Sequence, residues 1–158
     1  MKVEVFIVAW NREDTIAMTV RHYQRFCQKV TLFDNFSDDK TREIAEAMGA
    51  HIKLFGQVGV LNDQAYLDVK NNCWKDSDAD WVIVVDDDEI LYDVDILKEL
   101  QLATDSGATI IKPQGFGVFS NDMPQEDWTE IMTGVRDENY SKLCVFNPKQ
   151  VKEIGYIF

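Results

Sequence analysis

An α/β fold with a doubly wound, mostly parallel sheet and helices on both faces is what this sequence predicts, on two observations. The first is the stretch Asp80-Trp81-Val82-Ile83-Val84-Val85-Asp86-Asp87-Asp88-Glu89, where five apolar residues run straight into four carboxylates. An apolar run without alternation belongs to a strand buried on both faces. Such strands occur mainly in α/β proteins, where ligands sit outside the carboxyl ends of the strands. The second is the order of patterns: strand then helix four times, then a strand, a long loop and a last strand.

Val3 to Ala9 is the first strand, mostly apolar and central, and residues 10 to 14 are its turn. A helix starts near Asp14 or Thr15, either of which is a good cap, and Ile16, Val20, Tyr23 and Cys27 give it an apolar face. Val30 to Phe33 is the second strand, followed by Asp34-Asn35 and a polar turn. The helix from about Thr41 sets Ile44, Ala45 and Met48 on one side and stops at Gly49. His51 to Phe55 is the third strand, and Asn62 or Asp63 opens a helix in which Ala65, Val69 and Cys73 step by four.

The organising run is the fourth strand. A helix from about Asp95 to Thr104 buries Ile96, Leu97, Leu100 and Ala103 and stops at Gly107, and Ala108 to Lys112 is the fifth strand. Residues 113 to 141, with Pro113, Gly115, Gly117, Pro124 and Gly134, show little periodicity, and so long a segment is expected to be a binding loop or lid. Leu143 to Phe146 is the last strand, and Asn147-Pro148 caps a short helix.

The chain has 158 residues and 46% apolar content, enough for one domain with a real core. Its formal charge is −12, and residues 76 to 105 alone supply −10 of it. That local field argues against binding nucleic acid or an anionic membrane through this face. Cys27, Cys73 and Cys144 are odd in number and widely spaced, and with only His22 and His51 they form no zinc set. They are expected to be reduced thiols, the usage of a cytosolic protein. No signal peptide precedes the first strand and no apolar run reaches membrane-spanning length, so a cytoplasmic location is expected, with peripheral attachment to a membrane left open. The apolar end Gly155-Tyr156-Ile157-Phe158 reads as the mark of a chain cut short.

Four adjacent carboxylates carry a cost. Two unit charges about 4 Å apart repel by about 4 kcal/mol at an effective dielectric of about 20. Either the pKa values rise or a cation is bound. In an extended chain, side chains two apart share a face. Asp86 and Asp88 would then pair as ligands for Mg²⁺ or Mn²⁺, with Asp87 and Glu89 on the other side. The blander reading is a solvated acidic turn. An EF-hand start at Asp76, Asp78 and Asp80 is rejected, because Trp81 stands where that loop needs Gly.

Three segments resemble one family. Phe6 to Glu13 looks like the first strand and nucleotide-contacting turn of family 2 glycosyltransferases of the GT-A fold. Asp34-Asn35-Phe36-Ser37-Asp38-Asp39-Lys40-Thr41 resembles their DNxSxDxT turn, with Phe36 in place of a small residue. Asp80 to Glu89 resembles their strand ending in a DxD motif. The resemblance implies a Rossmann-like, mixed but mostly parallel sheet and a nucleotide-sugar donor, most often UDP-linked, held with Mn²⁺ or Mg²⁺.

By that resemblance Asp88 ligates the metal, and Asp86 reaches the ribose or a metal-bound water. Asp34 accepts from the base. Ala9, Trp10, Asn11 and Arg12 flank the nucleotide together with Asp87, and Asn62, Asp63 and Lys70 approach the diphosphate. Residues 1–158 are then one domain, with 1–112 the nucleotide-binding half and 113–158 a partial acceptor-side half. The acceptor, a saccharide or other hydroxyl compound, is not named by the sequence. The candidate bases are Asp122, Glu126 and Asp127, each also readable as merely solvated. Trp10 is equally a base-stacking or a core or rim residue; Asp34 could merely cap the next turn, but its place opposite the acidic cluster in a doubly wound sheet favours the functional reading. Lys142 is read as solvent-facing, with phosphate contact the alternative, and His22 and His51 are read as structural. Two other functions compete: a nucleotide-binding module without catalysis, and a phosphohydrolase using Asp86 as nucleophile and Asp88 as acid/base.

Overall fold

The computed structural model describes residues 1–124 and 126–156; Ile157 and Phe158 of the apolar end lie outside the described residues. Strands β1 (Val3–Ala9), β2 (Lys29–Asp34), β3 (His51–Leu54) and β4 (Trp81–Asp86) alternate with helices α1 (Ile16–Gln24), α2 (Thr41–Ala47) and α3 (Asp63–Asn72). After α4 (Ile96–Asp105) come β5 (Ile110–Ile111), β6 (Phe116–Val118), β7 (Gly134–Arg136) and β8 (Val145–Phe146). The main sheet has the order β3-β2-β1-β4-β8-β5. Its first four strands are parallel, and β8 runs antiparallel to both β4 and β5.

Alternation within each strand divides the core into two layers. Val3, Val5, Ile7, Ala9, Trp81, Ile83 and Val85 pack with Ile16, Val20 and Tyr23 of α1, Ala45 of α2 and Leu100 of α4. Phe6, Val8, Phe33, Val82, Val84 and Phe146 pack with Trp74, flanked by Tyr66 and Val69 of α3 and by Val151, Ile154 and Tyr156. Both sides of β4 are therefore covered, and Trp81 to Val85 are all buried. That is the environment its unbroken apolar run requires.

Four expectations change. The fifth strand shrinks to two residues, because its partner β8 offers only Val145 and Phe146 for pairing. Leu97 is exposed, since Leu100 is the residue α4 aims fully at the sheet. The segment from 113 to 141 is not featureless: β6 and β7 pair antiparallel as a separate ribbon. Asn147-Pro148 caps a turn and not a helix; the Asn147 carbonyl accepts from Gln150 and Val151, and no further repeat follows. Strand β8, from the last part of the chain, completes the main sheet between β4 and β5.

Among the described residues no helix is long and apolar enough to cross a membrane. The three cysteines are free. Burial pushes the Cys73 and Cys144 thiols up to about 12 and the Cys27 thiol higher still, so all three stay protonated.

Candidate active site

Register brings three strand ends to one edge: Ala9 lies beside Asp34, and Val8 beside Asp86. The loops that leave β1 and β2 are stitched together. Asn11 N–H donates to Ser37 Oγ (2.9 Å), Arg12 N–H to Thr41 Oγ1 (2.6 Å) and Glu13 N–H to Asp39 Oδ2 (3.0 Å). In return, Lys40 N–H donates to Glu13 Oε2 (3.0 Å). Asn11 and Phe36 both take positive φ, 56° and 52°, which turns each loop sharply toward the other. The Asn11 carboxamide donates to Asp38 Oδ1 (2.7 Å) and accepts from Asp38 N–H (3.0 Å), so this side chain is a strut between the loops.

Asp34 is fully buried, and its carboxylate accepts from Ser37 N–H (2.9 Å) and the Ser37 hydroxyl, with Arg42 Nε at 3.4 Å. It caps its own turn, the blander of the two readings. Asn35 beside it donates to the Val60 carbonyl (2.9 Å) and so holds the loop after β3 over the end of β2. Asn62 is likewise engaged, as the cap of α3 accepting from Ala65 N–H (3.1 Å), while Asp63 is exposed in the first turn. Trp10 is half-buried at the end of β1.

The acidic run does not stay extended. The Asp86 carbonyl accepts from Glu89 N–H (3.1 Å), and the Asp86 N–H donates to Glu89 Oε2 (3.2 Å). The tight turn sets Glu89, not Asp88, beside Asp86. Protein cations neutralise three of the four carboxylates. Lys70, a buried lysine of α3, places Nζ 2.6 Å from Asp86 Oδ2. Lys142, just before β8, bonds Glu89 Oε1 and lies 3.6 Å from Asp86 Oδ2. Burial works against the Lys142 ammonium, but the Glu89 hydrogen bond and the two carboxylate charges outweigh it and its pKa is raised. Lys142 is thus not the solvent-facing residue its sequence position suggests.

Asp87 points inward. Arg12 Nε lies 2.5 Å from its Oδ2, yet burial dominates and pushes the carboxyl up to about 7. Asp88 is exposed and has no hydrogen-bond or ion-pair partner among the described residues. Tyr66 of α3 faces the same place: burial, then the charges of Asp87, Asp86 and Asp34, push its phenol up to about 12. The Tyr156 ring lies 5.6 Å from Lys70 Nζ, a cation–π contact that closes the far side.

The loop after β4 is held from below by one face of α1. Thr19 Oγ1 donates to the Asp87 carbonyl (2.7 Å), Tyr23 OH to the Glu89 carbonyl (3.0 Å), and His22 Nε2 meets the Leu91 carbonyl at 2.9 Å. His22 is buried, and desolvation lowers its pKa, so its ring is neutral there. Sequence patterning places Tyr23 on the core face of a helix and reads His22 as structural, and it singles out nothing at Thr19. A polar residue on an otherwise apolar helix face, Thr19 above all, is the signal that was available.

Of the base candidates, Asp127 is already engaged. It is buried, it caps a 3-10 turn by accepting from Thr129 N–H (2.8 Å), and Arg25 at the end of α1 pairs with it. Its carboxylate docks the long segment onto the end of α1. Asp122 and Glu126 are exposed on that segment.

No three carboxylate, imidazole or thiolate side chains among the described residues converge as a ready-made metal cage. Small hard cations do not need one. Mg²⁺-type sites use one or two carboxylates and complete their shell with water and substrate phosphate. An exposed Asp88 on the turn that follows β4, without a hydrogen-bond or ion-pair partner among the described residues, fits that pattern.

The family model described as glycosyl transferase family 2 matches residues 4–146. The chain belongs to that family. An uncharacterized glycosyltransferase of Rickettsia typhi is 29% identical over 90 residues, 57% of this chain and 29% of the relative. Among solved structures, S. aureus TarS superposes with a TM-score of 0.62 at 19% identity, over 79% of this chain and 23% of TarS. Glucosyl-3-phosphoglycerate synthase from Mycobacterium tuberculosis, in complex with Mn²⁺, UDP and glucosyl-3-phosphoglycerate, gives 0.51 at 19% identity, over 70% of this chain and 43% of that one. This family 2 chain therefore has the GT-A, Rossmann-like architecture and spans under half the length of these relatives.

Proposed function

We propose that this chain transfers a sugar from a nucleotide diphosphate donor, UDP-linked, to a hydroxyl acceptor, with Mn²⁺ or Mg²⁺ in the site. The observation that carries the reading is the convergence of Asp86 with Lys70 and of Asp87 with Arg12 at the carboxyl edge of β1 and β4, with Asp88 left exposed on the same turn, in a chain of glycosyl transferase family 2. The UDP and Mn²⁺ bound to the mycobacterial synthase support the choice of ligands.

Asp88 is the first residue to hold the metal, because it alone of the four has no internal partner to give up. Asp86 follows when its lysines release it. Bound there, the ion would supply charge neutralisation at the departing diphosphate. Lys70 is buried and fixed by α3, so its ammonium meets the diphosphate without losing side-chain entropy on binding. The stitched loops after β1 and β2 form a rigid wall for the nucleoside, with Trp10 and the backbone of Ala9 on its rim. Asp34 acts through the shape of its turn, or accepts from the base after Ser37 yields. Asp122 and Glu126 are the carboxylates of the long segment left open to an acceptor.

Thermal unfolding with UDP, with and without Mn²⁺, tests this. A ligand at 100 times its Kd stabilises by about 2.7 kcal/mol. UDP with Mn²⁺ is expected to raise Tm in the wild type, and Asp88→Ala to lose the metal-dependent part. UDP stabilisation of the wild type that is the same with Mn²⁺ as in chelator, or a gain from Mn²⁺ that Asp88→Ala keeps in full, would refute the metal site. Turnover of UDP-glucose to UDP only when a hydroxyl acceptor is present separates transfer from mere binding.

A further inference from the structure

We infer that Lys142 is an exchangeable counter-ion, which holds Glu89 and Asp86 in the free protein and moves onto the donor diphosphate when those carboxylates turn to the metal. The inference rests on the donor reading above and goes beyond it by giving one residue two opposite effects.

The geometry is specific. Lys142 Nζ bonds Glu89 Oε1 and stands 3.6 Å from Asp86 Oδ2, the same oxygen that Lys70 Nζ meets at 2.6 Å. Two ammonium groups reach one carboxylate oxygen, and Lys142 divides itself between that oxygen and Glu89, so Asp86 keeps a counter-ion in Lys70 when Lys142 leaves. The two lysines are not held alike. Lys70 is buried on a helix, with the Tyr156 ring against it. Lys142 is about one-third exposed and sits at the end of the long segment, where the chain enters β8. It is the one free to move.

Arg12, Lys70 and Lys142 offset three of the four carboxylate charges, so the free site is close to neutral and not the strongly repelling surface its sequence suggests. A divalent cation arriving alone must compete with Lys142 for Asp86 and Glu89. A diphosphate arriving with the cation offers the displaced ammonium new oxygens. The lysine therefore opposes metal alone and favours metal with nucleotide, which couples the two ligands.

Isothermal titration of the whole chain with Mn²⁺ alone, and with UDP in saturating Mn²⁺, tests this on wild type, Lys142→Met and Lys142→Arg. Lys142→Met is expected to bind Mn²⁺ alone roughly threefold or more tighter, since a competing charge is gone. It is expected to bind UDP about tenfold more weakly, the loss of one charge-assisted hydrogen bond. Lys142→Arg keeps the charge and restores UDP affinity to within about threefold of wild type. Misfolding would weaken both ligands together, and that result, or no change in either, overturns the inference. If the wild type itself binds no UDP with or without Mn²⁺, the donor reading fails instead, a different result.

Discussion

Tyr23 grips the backbone around Leu91 from both sides: its hydroxyl accepts from Leu91 N–H at 3.0 Å and donates to the Glu89 carbonyl at 3.0 Å. The residue is fully buried, and desolvation keeps the phenol protonated by raising its pKa. One hydroxyl thus satisfies a donor and an acceptor in the turn that sets Glu89 beside Asp86. Tyr23→Phe keeps the ring packing and orphans the Leu91 N–H. A cost of about 1–3 kcal/mol is expected, the penalty of an unsatisfied buried group. Urea unfolding measures it. A loss under about 0.5 kcal/mol would mean that the loop finds other partners and is not held by α1.

Asp87 gives the site a pH dependence of opposite sign to that of an ordinary salt-bridged carboxylate. Its pKa rises from 3.8 to about 7, because burial outweighs the Arg12 charge. A raised carboxyl pKa means that the folded state binds a proton the unfolded state has lost. Stability therefore falls as pH climbs from about 4 to about 7, and the penalty is complete above that window. The full gap corresponds to roughly 4 kcal/mol at most. Asp87→Asn mimics the protonated form. In chelator, it is expected to be more stable than wild type at pH 8, with the difference shrinking toward pH 5. An advantage that grows as pH falls would reverse the sign and refute the assignment.

How far the fold and the site are legible in the sequence depends on the range of the interaction. Trp81 to Val85 announced β4 because burial on both faces needs no more than an unbroken apolar run. Gly49 and Asn62 marked helix ends because capping is local. The place of β8 was not legible. Val145 and Phe146 are only two paired residues, and nothing in an apolar dipeptide says that it inserts between β4 and β5. That one insertion carries Lys142 to Glu89, 53 positions earlier in the chain. The face shared by Asp86 and Asp88 failed for a local reason: it assumed extended backbone, and the Asp86–Glu89 hydrogen bond ends the strand at Asp86. The cations that neutralise the acidic run, Arg12, Lys70 and Lys142, come from three separate elements. Spacing along the sequence could not assemble them.

Thr19 joins the acidic loop to the long segment, and this coupling is measurable. Its hydroxyl accepts from Trp128 Nε1 at 2.9 Å while donating to the Asp87 carbonyl at 2.7 Å. It is fully buried, so neither bond has water as a substitute. Arg25 with Asp127, and Arg21 on the Glu126 carbonyl (2.7 Å), dock the same segment further along α1. Both arginines are exposed, so water competes for their side of each contact. Thr19 and Trp128 should therefore carry most of the docking specificity. A double-mutant cycle with Thr19→Val and Trp128→Phe is expected to give a coupling energy of about 0.5–3 kcal/mol, the range for residues in direct contact. Thr19→Val should also speed proteolysis within residues 113 to 141, because a chain whose dock is lost opens locally at lower cost. Additivity within about 0.3 kcal/mol, with unchanged cleavage, would show that the long segment is held elsewhere and that Asp87 does not sense it.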